Sequence, residues 1–322
     1  MLHLRLIVPA EQSPAAVDVL TASPAVTGLI VLPAAARDPA GDVMICDVAR
    51  EAANGVLAAL RALGIDETGS IAIEDAAVTL SAAADRAARL APGAGVDAVV
   101  WEEISHKTGQ EIRLSATYLV LLTVATVIAA IGVLLDQPIL IVGAMVVGPE
   151  FGPLAALSVG LIQRRGTVVG RAVLALAVGF PIAMVITMLA TWLLTAWGLV
   201  DRSMLLADRP LTDFIWRPDA LSWIVGFLAG IAGMLSITSA RSGALIGVLI
   251  SVTTVPAAAN AAVAAAYGVP SEALGSASQL LINLAAIITA GVLTLTVQRI
   301  WWRHISPPLR ASAAARPRGR SR

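Results

Sequence analysis

One cysteine, one lysine and three histidines are a thin supply of reactive side chains for 322 residues. Cys46 alone can neither close an intramolecular disulfide nor anchor a thiolate metal site. It reads as a small buried apolar residue in a strand. His3, His106 and His304 lie far apart in the chain, so no zinc or haem site is expected. Charged residues make up 14% of the chain and sum to a net charge of zero, which argues against a nucleic-acid partner. There is no Walker A lysine loop, no His-Glu-x-x-His pair and no Gly-x-Ser-x-Gly elbow. A serine with a nearby base, or a pair of aspartates, is also missing from the apolar runs. No enzyme class, cofactor or metal follows from the residues. The start, MLHLRLIV, lacks a charged segment followed by a long apolar one, so no cleavable signal peptide is expected.

What the chain has in excess is apolar length. Hydrophobic residues are 57% of it, and its mean hydropathy of +0.83 exceeds that of ordinary soluble proteins. An α-helical integral membrane protein is the class this implies, with the bilayer as first partner. Apolar runs long enough to span lipid fall at about 116–135, 139–162, 171–197, 221–240, 243–266 and 277–298, giving about six transmembrane helices. Asp136-Gln137-Pro138, Arg164-Arg165-Gly166, a polar loop at 198–220, Arg241-Ser242 and a loop at 268–275 separate them. Trp192, Trp197, Trp216, Trp223, Trp301 and Trp302 fall near the span ends, as an aromatic belt would. Lys107, Arg113, Arg164, Arg165, Arg171, Arg241, Arg299 and Arg303 share one side with the arginines of the basic tail 299–322. Only Arg202, Arg209 and Arg217 fall on the other, beside Asp201, Asp208, Asp213 and Asp219. By the positive-inside rule both termini are cytoplasmic, which suits a multi-pass plasma-membrane protein.

Ahead of the spans, residues 1–81 read as an α+β domain. Leu2, Leu4, Leu6 and Val8 alternate as in a strand. Ser13-Pro14 opens a helix with Ser13 as its cap, 26–32 is a strand ended by Pro33, and 42–48 is another after the Asp38-Pro39-Ala40-Gly41 turn. A helix over 50–63 stops at Gly64, and 70–80 supplies the last strand. The order βαββαβ is that of a ferredoxin-like domain, here on the cytoplasmic side. Residues 82–115 form an Ala-rich linker, broken at Pro92-Gly93, and a partly amphipathic helix over 96–114 with Val100, Ile104 and Ile112 on one face.

Chemistry concentrates in Gly143-Ala144-Met145-Val146-Val147-Gly148-Pro149-Glu150-Phe151-Gly152-Pro153. Pro149 and Pro153 remove N–H donors, Gly148 and Gly152 weaken the helix, and hydrocarbon cannot answer the carbonyls set free. Broken backbone at that depth must be packed in protein or line a watery cavity, and the segment either crosses fully or re-enters. Residues 243–266 echo it: a Gly-rich start, a short apolar run through Ser251, Thr253 and Thr254, then Pro256 and a run of alanines. Aligning Pro153 with Pro256 pairs spans one to three with four to six, a 3+3 inverted repeat, and paired broken segments point to a midplane site.

Those two segments, in this order, resemble the uncharacterised hydrophobic membrane-protein family known as domain of unknown function three-eight-nine. The resemblance covers about 116–298, and the α/β domain ahead of it resembles the front half of many members. Members often have an apolar residue after the first proline where this chain has Glu150, and many have two adjacent prolines where it has Val255-Pro256. The resemblance implies a bacterial or archaeal membrane protein and no particular activity.

Glu150 could bind a cation or carry a proton, or be a neutral acid bonded to a freed carbonyl. Asn260 and Asn283 could line a pathway or bond between helices. Ser251, Thr253 and Thr254 could contact a ligand or answer backbone groups near Pro256. Arg241 could reach a cavity or snorkel to the surface. Gly179-Phe180-Pro181 suggests a kink, and Gly226, Gly230 and Gly233 suggest close helix packing within or between protomers. The expected function is a solute or ion transporter or channel, with Gly148, Pro149, Glu150, Gly152, Pro153, Ser251, Thr253, Thr254, Pro256, Asn260 and Asn283 along the pathway. A membrane-anchored sensor or scaffold is the rival, and a lipid-handling protein the third reading. A homo-oligomer is expected.

Overall fold

The alternation at the start of the chain becomes a strand in the structure, a computed structural model that describes residues 1–75, 81–91, 99–111, 114–239 and 253–305. Two units are distinguished, 1–103 with 299–322, and 104–298.

In the first unit, β1 (Leu2–Val8), β2 (Val26–Arg37), β3 (Ala40–Val48) and β4 (Ser70–Asp75) form an antiparallel sheet in the order β2-β3-β1-β4. Period-two patterning sends Leu2, Leu4, Leu6 and Val8 to one face, beside Met44, Cys46 and Val48. α1 (Ser13–Ala22) and α2 (Arg50–Ala62) bury Leu20, Val56, Leu57 and Leu60 in the same core. α3 (Ile65–Thr68) and α4 (Ala82–Leu90) are short, and α5 (Trp101–Glu111) follows. The start of α5 is tied to α2. Asn54 donates to the Val99 carbonyl (2.6 Å) and accepts from the Trp101 N–H (3.2 Å), and Arg61 pairs with Glu102 at 2.8 Å. Gly64 turns out of α2 at φ 75°, a conformation open to glycine.

Two expectations change here. Gln12 occupies the N-cap of α1, and Ser13 is already helical. Strand β2 passes through Pro33 to Arg37. It is an edge strand with a register shift between Leu32 and Ala36, so the missing Pro33 donor falls where the ladder is already interrupted. The Ala34 N–H donates instead to the Asp42 carboxylate at 2.8 Å.

The second unit is helical: α6 (Ala116–Leu134), α7 (Pro138–Val147), α8 (Phe151–Gln163), α9 (Gly166–Ala196), α10 (Arg202–Leu206), a 3-10 turn (Asp213–Ile215), α11 (Ala220–Thr238), α12 (Thr254–Ala266) and α13 (Pro270–Ile305). Among the described residues four helices, α6, α9, α11 and α13, are long and apolar enough to cross a membrane. The pair α7 and α8, bent by 51°, makes up to five. α12 is apolar and has only 13 residues. The Gly-rich start of its segment lies outside the described residues, as do Arg241, Ser251, Ile112, Pro92-Gly93 and the tail beyond 305.

Helix α9 continues through Pro181 for 31 residues. The expected loop at 268–275 shrinks to Gly268 and Val269, because Pro270 opens α13 and Glu272 is taken into its first turn. Gly226 and Gly230 face α13: a Cβ at Gly230 would lie 2.8 Å from the Ala290 Cβ, and one at Gly226 3.2 Å from the Ala286 Cβ. That spacing is therefore used within the protomer. α12 is wrapped by α6, α9 and α7, with every side chain from Thr254 to Ala264 buried.

Candidate functional site

The break between α7 and α8 is built by its prolines. Pro149 has no N–H to extend α7 and forces the residue before it away from helical geometry. Gly148 accordingly sits extended (φ −63°, ψ 129°), its N–H still reaching the Ala144 carbonyl at 3.1 Å. Glu150 is the N-cap of α8, and Pro153 is its third residue, where the missing N–H is one that a helix start leaves unpaired anyway. α12 repeats this arrangement, with Thr253 at the N-cap and Pro256 as third residue.

The two starts meet. Thr254 Oγ1 donates to Glu150 Oε1 at 2.7 Å across 104 residues of sequence. Glu150 is 4% exposed, and its Oε2 has no hydrogen-bond partner among the described residues. A Cβ at Gly148 would lie 2.3 Å from that oxygen and 2.9 Å from the Val255 Cγ2, so only glycine leaves the carboxylate its place. The acid stands beside two helix N-termini, whose unpaired N–H groups favour negative charge.

On the other flank of the α12 start, Asn283 Nδ2 donates to Thr253 Oγ1 at 2.8 Å, and Gln279 Nε2 donates to Asn283 Oδ1 at 3.5 Å. Gln279 and Asn283 are buried, and with Thr253 they form the polar wall of a cavity of about 410 Å³. Its remaining lining is mainly apolar and comes from α7, α11 and the segment around Phe214. Glu150 does not line it. The structure thus brings Gly148, Glu150, Thr253, Thr254, Pro256 and Asn283 together.

Asn260 belongs to a different cluster, where it bonds between helices. It sits almost two turns further along α12, where Nδ2 donates to Ser276 Oγ at 2.7 Å and to Glu272 Oε1 at 3.0 Å. Its Oδ1 accepts from Arg209 Nη1 at 3.3 Å, and Arg209 Nη2 pairs with Glu272. All four residues are buried. Sequence reasoning counted Arg209 among surface charges of a polar loop and missed Glu272, Ser276 and Gln279. A signal existed for Gln279 and Asn283, amides one helical turn apart in an apolar run. For Arg209 there was none. The same loop is fastened to the α6–α7 turn, with Asp136 accepting from the Leu211 N–H (3.3 Å) and from Thr212 Oγ1 (2.8 Å).

The far end of α12 is held too. Trp192 Nε1 donates to the Ala266 carbonyl at 2.9 Å and Arg202 Nε to the Tyr267 carbonyl at 3.2 Å, answering acceptors that a helix end leaves free. Thr195 and Tyr267 share a hydroxyl bond of 2.7 Å. Thr126 and Thr187 join α6 to α9 at 2.9 Å.

Comparison with known proteins finds one family model, "Domain of unknown function (DUF389)", matching residues 145–289, a span that holds the break, the cavity amides and the Arg209 cluster. The "Uncharacterized protein MJ0678" of Methanocaldococcus jannaschii is 23% identical over 209 residues, covering 64% of this chain and 62% of that protein. The chain thus matches less than two thirds of that relative's length. No solved structure matches significantly.

Proposed function

We propose, from the premise that residues 145–289 belong to the DUF389 family, that this membrane protein is a solute or ion transporter or channel rather than an enzyme. The observation that carries the reading is the buried Glu150 carboxylate, one oxygen bonded to Thr254 and the other without a partner among the described residues, at the meeting of two helix starts. An acid oxygen in that state costs free energy that a proton or a cation would remove. Broken helices whose ends converge on an ionisable group are the usual build of a midplane transport site.

A 3+3 inverted repeat supports this reading. α6 and α11 each have 19 residues, α8 and α12 each have 13 with proline third, and a long helix follows each of the latter. On that reading the chain has six spans. The basic-residue asymmetry puts both termini in the cytoplasm of a plasma-membrane protein, and burial of Arg209 removes one of the few cations assigned to the outer side. Strand order β2-β3-β1-β4 suits a ferredoxin-like cytoplasmic domain that senses or gates. The rival, a membrane-anchored sensor or scaffold, draws on that unit's self-contained core. Homo-oligomerisation loses one support, because Gly226 and Gly230 are occupied by α13.

The test is flux in proteoliposomes holding a pH-sensitive dye under an imposed sodium or potassium gradient. Wild-type protein should dissipate the gradient, and Glu150→Gln should slow it by about tenfold or more, as loss of a buried charged hydrogen-bonding group does. Equal flux in wild type and variant would remove the carboxylate from the mechanism. No flux in either would favour the scaffold.

A further inference from the structure

The cavity beside α12 has a chemistry separate from that of Glu150. Its polar wall is a chain of amides with a direction: Gln279 donates to Asn283, which donates to Thr253. Each amide gives one of its two N–H groups to this chain. The atom left without a partner among the described residues is Gln279 Oε1, an acceptor on a side chain 1% exposed, and Thr253 still has its hydroxyl proton to give. An acceptor beside a donor is complementary to a neutral group that gives one hydrogen bond and takes another, and a hydroxyl is the smallest such group. An unmet buried acceptor is costly, so the pairing discriminates against ligands that cannot donate.

The other walls set the rest of the ligand. Ile141, Val142 and Met145 of α7 and Val225 of α11 offer apolar contact, and Leu211, Phe214 and Leu221 at the mouth are more than half exposed. A molecule reaching the amides passes apolar side chains, as one partitioning from lipid would. Among the described residues no basic side chain lines the cavity. The charge among its described lining residues is that of Asp219, which caps α11 through the Ser222 N–H and hydroxyl, both at 2.7 Å. A carboxylate or phosphate head would meet Asp219 with no cation among the described lining residues to answer it. An ammonium without N–H would leave Gln279 unmet. The volume of about 410 Å³ lies within the range of small-molecule sites.

We propose that this cavity binds an uncharged amphiphile, an alcohol with a medium-length apolar body, its hydroxyl donating to Gln279 Oε1 and accepting from Thr253. The site needs no passage across the membrane, so it stands apart from the transport reading.

Photolabelling of the full chain in lipid nanodiscs with a diazirine analogue of decanol, followed by peptide mapping, tests it. Label should concentrate on α7, α11 and α13 and be displaced by decanol about tenfold better than by decanoate or decyltrimethylammonium. Gln279→Leu should cut labelling about tenfold. Val142→Trp, which enlarges a partly exposed cavity residue, should abolish it and serves if Gln279→Leu does not fold. Equal displacement by decanoate, undiminished labelling of Val142→Trp, or label spread evenly over the lipid-facing helices would each overturn the proposal. The measurement reads occupancy, so its failure leaves the flux question standing, and absent flux leaves this site standing.

Discussion

At the scale of single residues the site depends on a glycine as much as on an acid. Gly148→Ala puts a methyl where Glu150 Oε2 lies, and the movable partner is the end of the Glu150 side chain. The expected outcome is a protein that folds, with a small loss of thermal stability, and whose flux falls toward that of Glu150→Gln. Wild-type flux in Gly148→Ala would show that the carboxylate does not need its position. Arg209 makes a second prediction. Arg209→Met leaves Glu272 buried without its cation, and loss of one partner of such a pair costs roughly 3–5 kcal/mol. Thermal unfolding in detergent should show the loss, and Arg209→Met with Glu272→Gln should recover part of it. Glu150 was legible in the sequence because an acid after a proline within an apolar run has few ordinary explanations. Arg209 and Glu272 were illegible because each lies in a polar stretch, where a charge is unremarkable. Only the fold buries them together, across 63 residues of sequence.

Elements were legible where local chemistry decides them. Pro149 and Pro153 foretold the division of α7 from α8, and Gly64 foretold the end of α2. Legibility failed where tertiary placement overrides local signals. Pro33 stays in a strand because that strand is at an edge. The contact of α11 with α13 gives a prediction at this scale. Gly230→Leu forces bulk into a gap where even a Cβ would lie 2.9 Å from the Ile287 Cα, and overpacking of that kind costs about 1–3 kcal/mol. A drop in melting temperature with Gly230→Leu, and a lesser one with Gly230→Ala, is the expected order. The cap of α11 gives another. The Ser222 hydroxyl, then its N–H, hold Asp219 below the usual carboxylate range. A lowered folded value means that the cap's contribution is complete above the unfolded value, and is lost as pH falls through the folded one. Tryptophan fluorescence should therefore show loosening near Trp223 only on acidification from about pH 4 downward, and Asp219→Asn should remove that step. An identical acid transition in the variant would assign it elsewhere.

At the scale of the whole molecule, the single thiol separates the stability of one unit from the other. Burial pushes the Cys46 thiol up to about 12, so little thiolate exists at neutral pH and the side chain is enclosed. Maleimide should leave the native full chain unmodified and react once the sheet opens in urea. Leu60→Ala, which empties a core position of that unit, should lower the urea midpoint of labelling by an amount corresponding to about 2–5 kcal/mol. Reaction of the native protein at the rate of a free thiol would contradict the packing of β3. The separation into an α/β unit and a helical unit was legible from composition alone, since the apolar runs begin only after residue 115. The span count was less so, because a 13-residue helix and a bent pair do not announce themselves by length.

The alanine-rich helix α12 gives the helical unit an unusual mechanical character. Between Ala257 and Ala264 its flank is almost all methyl groups, and a methyl makes no knob to lift out of a neighbour's hole. Resistance to sliding resides in the polar fastenings, Glu150, Asn283 and the Arg209 cluster on one part, Trp192 and Arg202 at the far end. A shift of α12 would therefore have to release the fastenings at one end before its methyl-lined flank could move.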